Sequence, residues 1–387
     1  MSKKFDFDEW LLEELIESYY DARRNGKRKT KNEHQLEVNE IDNLIILRNI
    51  IVARKYKPSR GIAFIIHDPV IREIFAAPFV DRIVHHFLYR HAIEWWEPRL
   101  WKGAYSCRKG KGTLAGVIDL QKNMRRVSRD GIVDTVIVKR DIKGYFMSLD
   151  HARLYKRVMW GLKRQYPNGG KLYRTLKYLW KEIIFDRPIE GVRIRGNERE
   201  WGELPLSKSL FYQPSGRGIV IGNLTSQLLS NIFLDMLDRF IVYELGYKNY
   251  GRYVDDFYIV IAKEHLPVLL NEDMPKIINF LERLGLELHP KKQYEIPMKN
   301  GVDFLGAKVY FDHILPGRRT LSNLAIKTYR FATTGEGKIA GFGSYDGLFA
   351  YYKAEKAIRK IYSMVGWDYL NCEDRLKKVG RDTNWKS

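Results

Sequence analysis

Residues 252–262 read RYVDDFYIVIA. Apolar positions flank two adjacent aspartates, Asp255 and Asp256, and the pattern predicts a β-hairpin with both carboxylates at its tip. Like charges this close raise each other's pKa and resist burial. A divalent cation removes that cost, and carboxylate oxygens suit hard Mg2+. Aspartate is also an ordinary turn residue, and a YxDD match is short enough to arise by chance. The hairpin therefore needs context from elsewhere in the chain.

That context begins at residues 134–142, DTVIVKRDI, a β-branched run of strand length that reaches Asp141. Gly144 breaks the run, and Asp150 is placed to cap a helix that starts with HARLYKRVMWGL. Asp141 beside the Asp255-Asp256 hairpin in one antiparallel sheet would set three carboxylates at one edge. Such a set can hold two Mg2+ ions, one activating an attacking hydroxyl and both stabilising charge in an in-line phosphoryl transfer.

The rest of the chain suits a polyanionic partner. Its 387 residues carry a formal net charge of +20, which points to nucleic acid, and 45% hydrophobic with 13% aromatic content excludes a predominantly disordered chain. Two cysteines, Cys107 and Cys372, exclude a disulfide scaffold. The absence of a long apolar run predicts a cytoplasmic protein without a membrane partner. Periodicity predicts helices over 6–20, 39–55, 80–96, 224–245 and 275–286, and strands over 61–66, 73–79 and 301–311. The basic run from Arg23 to Lys31 reads as a phosphate-contacting arm or a solvated linker. Residues 161–220 are expected to be the least regular part, and helices are expected over 320–332 and 344–364. A non-catalytic basic RNA-binding protein is the reading from a different class, and retention of all three aspartates argues against it.

The motifs, taken in order, resemble those of reverse transcriptases. DIKGYF at 141–146 resembles the motif bearing the first catalytic aspartate, and GIVIGNLTSQ at 218–227 the template- and nucleotide-contacting loop. YVDD at 253–256 resembles the catalytic hairpin, LGLELHPKKQ at 284–293 the lysine motif, and VDFLGAKV at 302–309 the primer grip. Upstream, DPVIREIFAAPFVDRIVHHFL and YSCRKGKGT at 105–113 resemble the fingers and early palm of prokaryotic enzymes. IGNLTSQ at 221–227 is similar to the reverse transcriptases of diversity-generating retroelements, although Ile219-Val220 replaces their usual Leu-Pro. Bacterial defence-type and retron enzymes are the competing subgroups.

The resemblance implies an α+β right-hand polymerase with fingers, an antiparallel-sheet palm and a helical thumb. The implied division is an N-terminal helix and basic arm at 1–44, fingers and early palm at 45–130, palm at 131–315 with an irregular insertion near 161–217, and thumb at 316–387. Two Mg2+ ions would be held by Asp141, Asp255, Asp256 and the backbone carbonyl of Ile142. Lys292, with Lys291 beside it as the alternative, would neutralise or protonate departing pyrophosphate. Arg72, Phe146, Ile221, Gly222 and Tyr253 would line the nucleotide site, with Phe146 as a steric gate against a 2′-hydroxyl. Phe304, Leu305 and Gly306 would form the primer grip, and Lys109 and Lys111 would track the template backbone. The implied partners are template RNA, its RNA/cDNA duplex, dNTPs and a small accessory variability protein that forms a homopentamer. Where accurate relatives present Gln, Ile221 offers no hydrogen bond. The resemblance to the retroelement enzymes implies, for this loop together with Arg72, RNA-directed DNA synthesis that misincorporates opposite template adenine.

Overall fold

The computed structural model describes residues 5–24, 39–67, 70–334, 345 and 347–364. In chain order its main elements are α1 (Phe7–Arg23), α2 (Glu40–Val52), β1 (Ile62–Ile66), β2 (Arg72–Ala76), α3 (Phe79–Trp96), α4 (Thr113–Ser128) and β3 (Thr135–Ile142). Next come α5 (His151–Gln165), α6 (Lys171–Ile184), β4 (Arg193–Ile194), α7 (Leu224–Arg239), β5 (Tyr250–Tyr253) and β6 (Asp256–Ala262). The chain closes with α8 (Met274–Leu284), β7 (Leu288–Pro297), β8 (Val302–Phe304), β9 (Ala307–Val309), β10 (Ile314–Pro316), α9 (Arg318–Thr334) and α10 (Glu355–Ser363). This is an α+β protein. Contacts divide it into two units, one drawn from residues 1–101, 142–240 and 276–288, the other from 102–141, 241–275 and 289–387.

The first unit is mainly helical. Asp6 caps α1 by accepting from the Asp8 amide at 2.8 Å, and Leu11, Leu15, Tyr19 and Ala22 bury one stripe of the helix. The acidic stripe beside it meets Arg90 of α3, whose guanidinium lies 3.2 Å from Asp21, 3.6 Å from Glu17 and 3.7 Å from Glu14. Ile83, Val84, Phe87 and Leu88 of α3 are fully buried. A small sheet has the order β2-β1-β4, antiparallel between β1 and β2 and parallel between β1 and β4. Asp235 on α7 is buried and accepts from Arg157 at 2.7 Å and Arg239 at 2.8 Å. Arg157 lies over the rings of Trp96 and Trp160.

The second unit holds a four-stranded sheet of order β5-β6-β3-β7, antiparallel across β5–β6 and β6–β3. Helix α4 packs on it through Val117, Leu120 and Met124, which join Ile137, Tyr258 and Val260 in one core. Asn123 Nδ2 donates to the Tyr258 hydroxyl at 3.2 Å, and the Tyr105 hydroxyl lies 3.2 Å from the same oxygen. Gly251 stands opposite Tyr258 across β5–β6, where a Cβ would meet that ring at 2.5 Å. A second antiparallel sheet, β10-β9-β8, joins the same core with α9 and α10.

Three expectations need correction. The stretch 161–220 is not its irregular part throughout: α6 runs for 14 residues and buries Leu176, Leu179 and Trp180. Its charges are solvated along one face and hide an amphipathic period. The expected helix over 344–364 is interrupted: among the described residues, 345 and 347–349 are helical, 350–354 are not, and α10 resumes at Glu355. The hairpin tip is Val254-Asp255, because Asp256 already belongs to β6. Most of the basic run after Arg24, and Cys372, lie outside the described residues.

Removing Asp235 would leave the largely buried Arg157 guanidinium without its anion. Asp235→Ala is expected to lower stability by about 3–5 kcal/mol, read as an earlier transition in urea unfolding.

Candidate active site

Backbone pairing assembles the site. Thr135–Asp141 of β3 runs antiparallel to Asp256–Ala262 of β6, which sets Asp141 directly opposite Asp256. Tyr253 of β5 faces Asp256 from the other side. Lys139 lies two residues before Asp141 and so shares its face of the sheet. Its ammonium is 3.2 Å from Asp256 Oδ2, donates to the Asp303 carbonyl at 2.9 Å, and stands 5.4 Å from the Phe304 ring centroid. On β7, Lys292 Nζ donates to Asp141 Oδ2 at 2.9 Å. Lys291 is exposed one residue earlier, and strand alternation aims it away from Lys292. A cavity of about 570 Å3 opens along Lys139, Asp141, Asp256, Lys292, Asp303 and Lys308.

The electrostatics follow from this crowding. Burial, with the neighbouring Asp141 and Asp256 charges, pushes Asp255 up to about 6. Burial also raises Asp256, against the opposing charge and hydrogen bond of Lys139. Burial alone would lower Lys292, but its bond to Asp141 and the charges of Asp255 and Asp256 prevail and raise it. The carboxylates thus already lean on ammonium groups. Among the described residues, no three His, Cys, Asp or Glu side chains are gathered as a ready-made metal cage. The donor chemistry nonetheless suits a hard cation: oxygens only, with Asp255 resisting ionisation while no further positive charge is near.

The turn itself is strained. Val254 has φ 56°, in the left-handed region, at a cost for a β-branched residue of about 1–2 kcal/mol. Arg252 holds it. This arginine is fully buried, and its guanidinium donates to the Val254 carbonyl at 2.9 Å. Its backbone is tied on the other side, its amide donating to the Gly103 carbonyl at 2.8 Å and its carbonyl accepting from the Tyr105 amide at 2.9 Å.

The other residues singled out in the sequence fall into two groups. In the first unit, Phe146 is half-buried and packs with Val220 and Ile221 around Phe75 and Met147. The Ile219 amide donates to the Phe146 carbonyl at 2.9 Å, and the Phe75 amide to the Ile221 carbonyl at 3.1 Å. Gly222 has φ 128°, and a Cβ there would lie 2.8 Å from the Phe75 carbonyl oxygen, so only glycine lets this loop lie against β2. Arg72 opens β2 and is exposed, and Ile142 is buried at the end of β3. In the second unit, Phe304 is buried, and Leu305-Gly306 form the two-residue turn between β8 and β9 with φ 50° and 83°. The Gly306 carbonyl accepts from Gly317 N at 2.8 Å and Thr320 Oγ1 at 2.6 Å, tying the turn to the start of α9.

Sequence reasoning missed three charged residues. Lys139 and Arg252 read as ordinary strand cations, and only their place beside RYVDD and Asp141 could have marked them. Glu73, buried on β2, accepts from Trp201 Nε1 at 2.8 Å, Ser209 Oγ at 2.7 Å and the Leu210 amide at 2.7 Å. It ties the irregular stretch at 201–210 to the small sheet, and nothing in the sequence pattern announces it.

Because Asp255 titrates near 6 in the folded protein rather than near 3.8, its ionisation weakens the fold as pH rises through that interval. Asp255→Asn removes the penalty. With divalent ions chelated, the variant is expected to gain on the order of 2 kcal/mol over the parent at pH 7.5 and nothing at pH 3.5. Denaturant titrations at the two pH values check the sign.

The sequence matches no family model and no curated protein. Among solved structures, the chain is similar to telomerase from Candida albicans in complex with the TWJ fragment of telomeric RNA, at 12% identity and a TM-score of 0.46. That likeness covers 85% of this chain and 58% of the telomerase chain.

Proposed function

We propose that the protein is an RNA-directed DNA polymerase working by two-metal nucleotidyl transfer. The observation that carries this reading is the register of β3 on β6. It sets Asp141 across from Asp256, with Asp255 in the adjoining turn and Lys292 bonded to Asp141. Asp141, Asp255 and Asp256 would hold Mg2+ through carboxylate oxygens, with the Ile142 carbonyl as a further donor. Bound Mg2+ supplies activation of a primer hydroxyl and neutralisation of triphosphate charge. Lys292 carries the proton or positive charge that departing pyrophosphate takes up. The ammonium groups of Lys139 and Lys292 hold the carboxylates' charge until substrate arrives.

In this reading the first unit supplies fingers residues and the nucleotide-contacting loop, and α9 and α10 belong to a thumb. Phe146 excludes the 2′-hydroxyl, Arg72 binds the triphosphate, Tyr253 and Gly222 line the nucleotide site, and Phe304 to Gly306 grip the primer. The finer assignment is to the diversity-generating retroelement enzymes, which copy a structured template RNA with an accessory homopentamer. The support for it is IGNLTSQ and the packing of Ile221 against the apolar cluster of Ala63, Phe75, Met147 and Leu210.

Two experiments test the reading. Asp255→Asn with Asp256→Asn is expected to abolish Mg2+-dependent dNTP incorporation on an RNA template at unchanged RNA affinity; appreciable residual synthesis rejects the metal site. For the finer assignment, deep sequencing of cDNA is expected to show errors concentrated opposite template adenine, reduced by Ile221→Gln. Equal error at all four template bases moves the assignment to the defence-type enzymes.

A further inference from the structure

Helices α5 and α6 pack against each other in the first unit and bury Leu154, Val158 and Leu162 on one and Leu176, Leu179 and Trp180 on the other. Their outer faces are unusual in charge. On α6 the exposed positions are Lys171, Arg174, Lys177 and Lys181, one per turn, with no other residue type among them. On α5 they are Arg153, Lys156, Lys163 and Arg164, with Trp160 and Ala152. Neither set contains an acid.

The nearby acids are already engaged. Glu182 of α6 pairs with Lys57 at 2.6 Å, Asp150 with Arg153 at 3.7 Å, and Asp235 with the largely buried Arg157 at 2.7 Å. Among the described residues, Lys156, Lys163, Lys177 and Lys181 have no carboxylate within ion-pair distance. Like charges three and four residues apart on a helix repel, so the face costs the isolated protein stability and returns nothing within the fold. The Arg164 guanidinium lies 4.0 Å from the centroid of the Trp160 ring, which also has Arg157 at 4.2 Å and is 38% exposed, and its Nη1 donates to the Trp160 carbonyl at 3.4 Å. Stacking on a ring leaves the remaining guanidinium donors available to phosphate oxygens.

We infer that the outer face of α5 and α6 is a binding surface for the phosphate backbone of RNA, reading charge and not sequence, and formed without any residue of the carboxylate site. The choice of RNA among polyanions rests on the proposed RNA-templated reaction; the surface itself does not. Two cationic stripes on neighbouring helices suit a polyphosphate backbone, whose charge is continuous and repetitive, better than an acidic peptide with scattered carboxylates.

The test is a variant with Lys156→Gln, Lys163→Gln, Lys177→Gln and Lys181→Gln, all solvent-exposed positions. Binding of a fluorescein-labelled RNA duplex of ~20 base pairs is followed by anisotropy from 50 to 200 mM KCl with EDTA present. The slope of log K against log salt is expected to shallow by about 3.6, about 0.9 for each of the four lost contacts, with affinity at 100 mM salt down by about tenfold or more. Extension of a short saturating primer–template is expected to be unchanged. Single variants Lys163→Gln and Lys181→Gln are each expected to shallow the slope by about 0.9 should the quadruple variant melt early. An unchanged slope and affinity overturns the inference, as does a loss seen only with poly-glutamate or only with a DNA duplex. A wild-type protein that binds RNA in this way but polymerises nothing leaves the surface standing and rejects the polymerase reading instead.

Discussion

The register between β3 and β6 is the constraint on which the rest of the site depends. It sets Asp141 against Asp256, two carboxylates that would repel across an isolated strand pair. A slip of one residue would turn Asp141 and Lys139 to the opposite face and bring core residues out in their place. The register is enforced farther along the same face, where Ile137, Tyr258 and Val260 meet α4. Hydrophobic burial on one face of the sheet thus underwrites an unfavourable arrangement of charge along its edge.

The strain of the hairpin is supported in a similar way. Val254 would not by itself adopt a positive φ, and the buried Arg252 guanidinium secures its carbonyl from within the unit. An arginine buried in a strand needs several acceptors, and a backbone carbonyl turned inward by a strained turn is one of them. The two irregularities offset each other and fix Asp255 at the tip. Lys139 extends the arrangement to the β8–β9 hairpin through the Asp303 carbonyl, so a cation on one strand joins the Asp256 carboxylate to a neighbouring sheet.

Charge is unevenly distributed at larger scale too. Glu14, Glu17 and Asp21 of α1 meet Arg90, and Glu182, Asp150 and Asp235 near α5 and α6 meet Lys57, Arg153 and Arg157. What remains exposed on those two helices is positive. A net charge of +20 is therefore concentrated in part on ordered helical faces, where regular spacing makes it useful to an extended anion.

Sequence alone determined the main helices and strands, because burial on one face writes a period of 3.6 or 2 into the chain. It also singled out Asp141, Asp255 and Asp256, since adjacent acids within apolar strands are costly enough to stand out. It read α6 as irregular because a stripe of lysines masks a buried stripe of Leu176, Leu179 and Trp180. It could not see Lys139, Arg252 or Glu73 at work, because a charged residue in a strand looks the same whether it faces water or a buried partner. Only tertiary structure decided that Lys292, and not Lys291, bonds to Asp141, and that Phe146, Ile221 and Gly222 lie together against β2. The physical reason is common to these cases: local sequence sets which backbone conformations are cheap, while the partner of a charge or the neighbour of a loop is chosen by strands and helices tens of residues away.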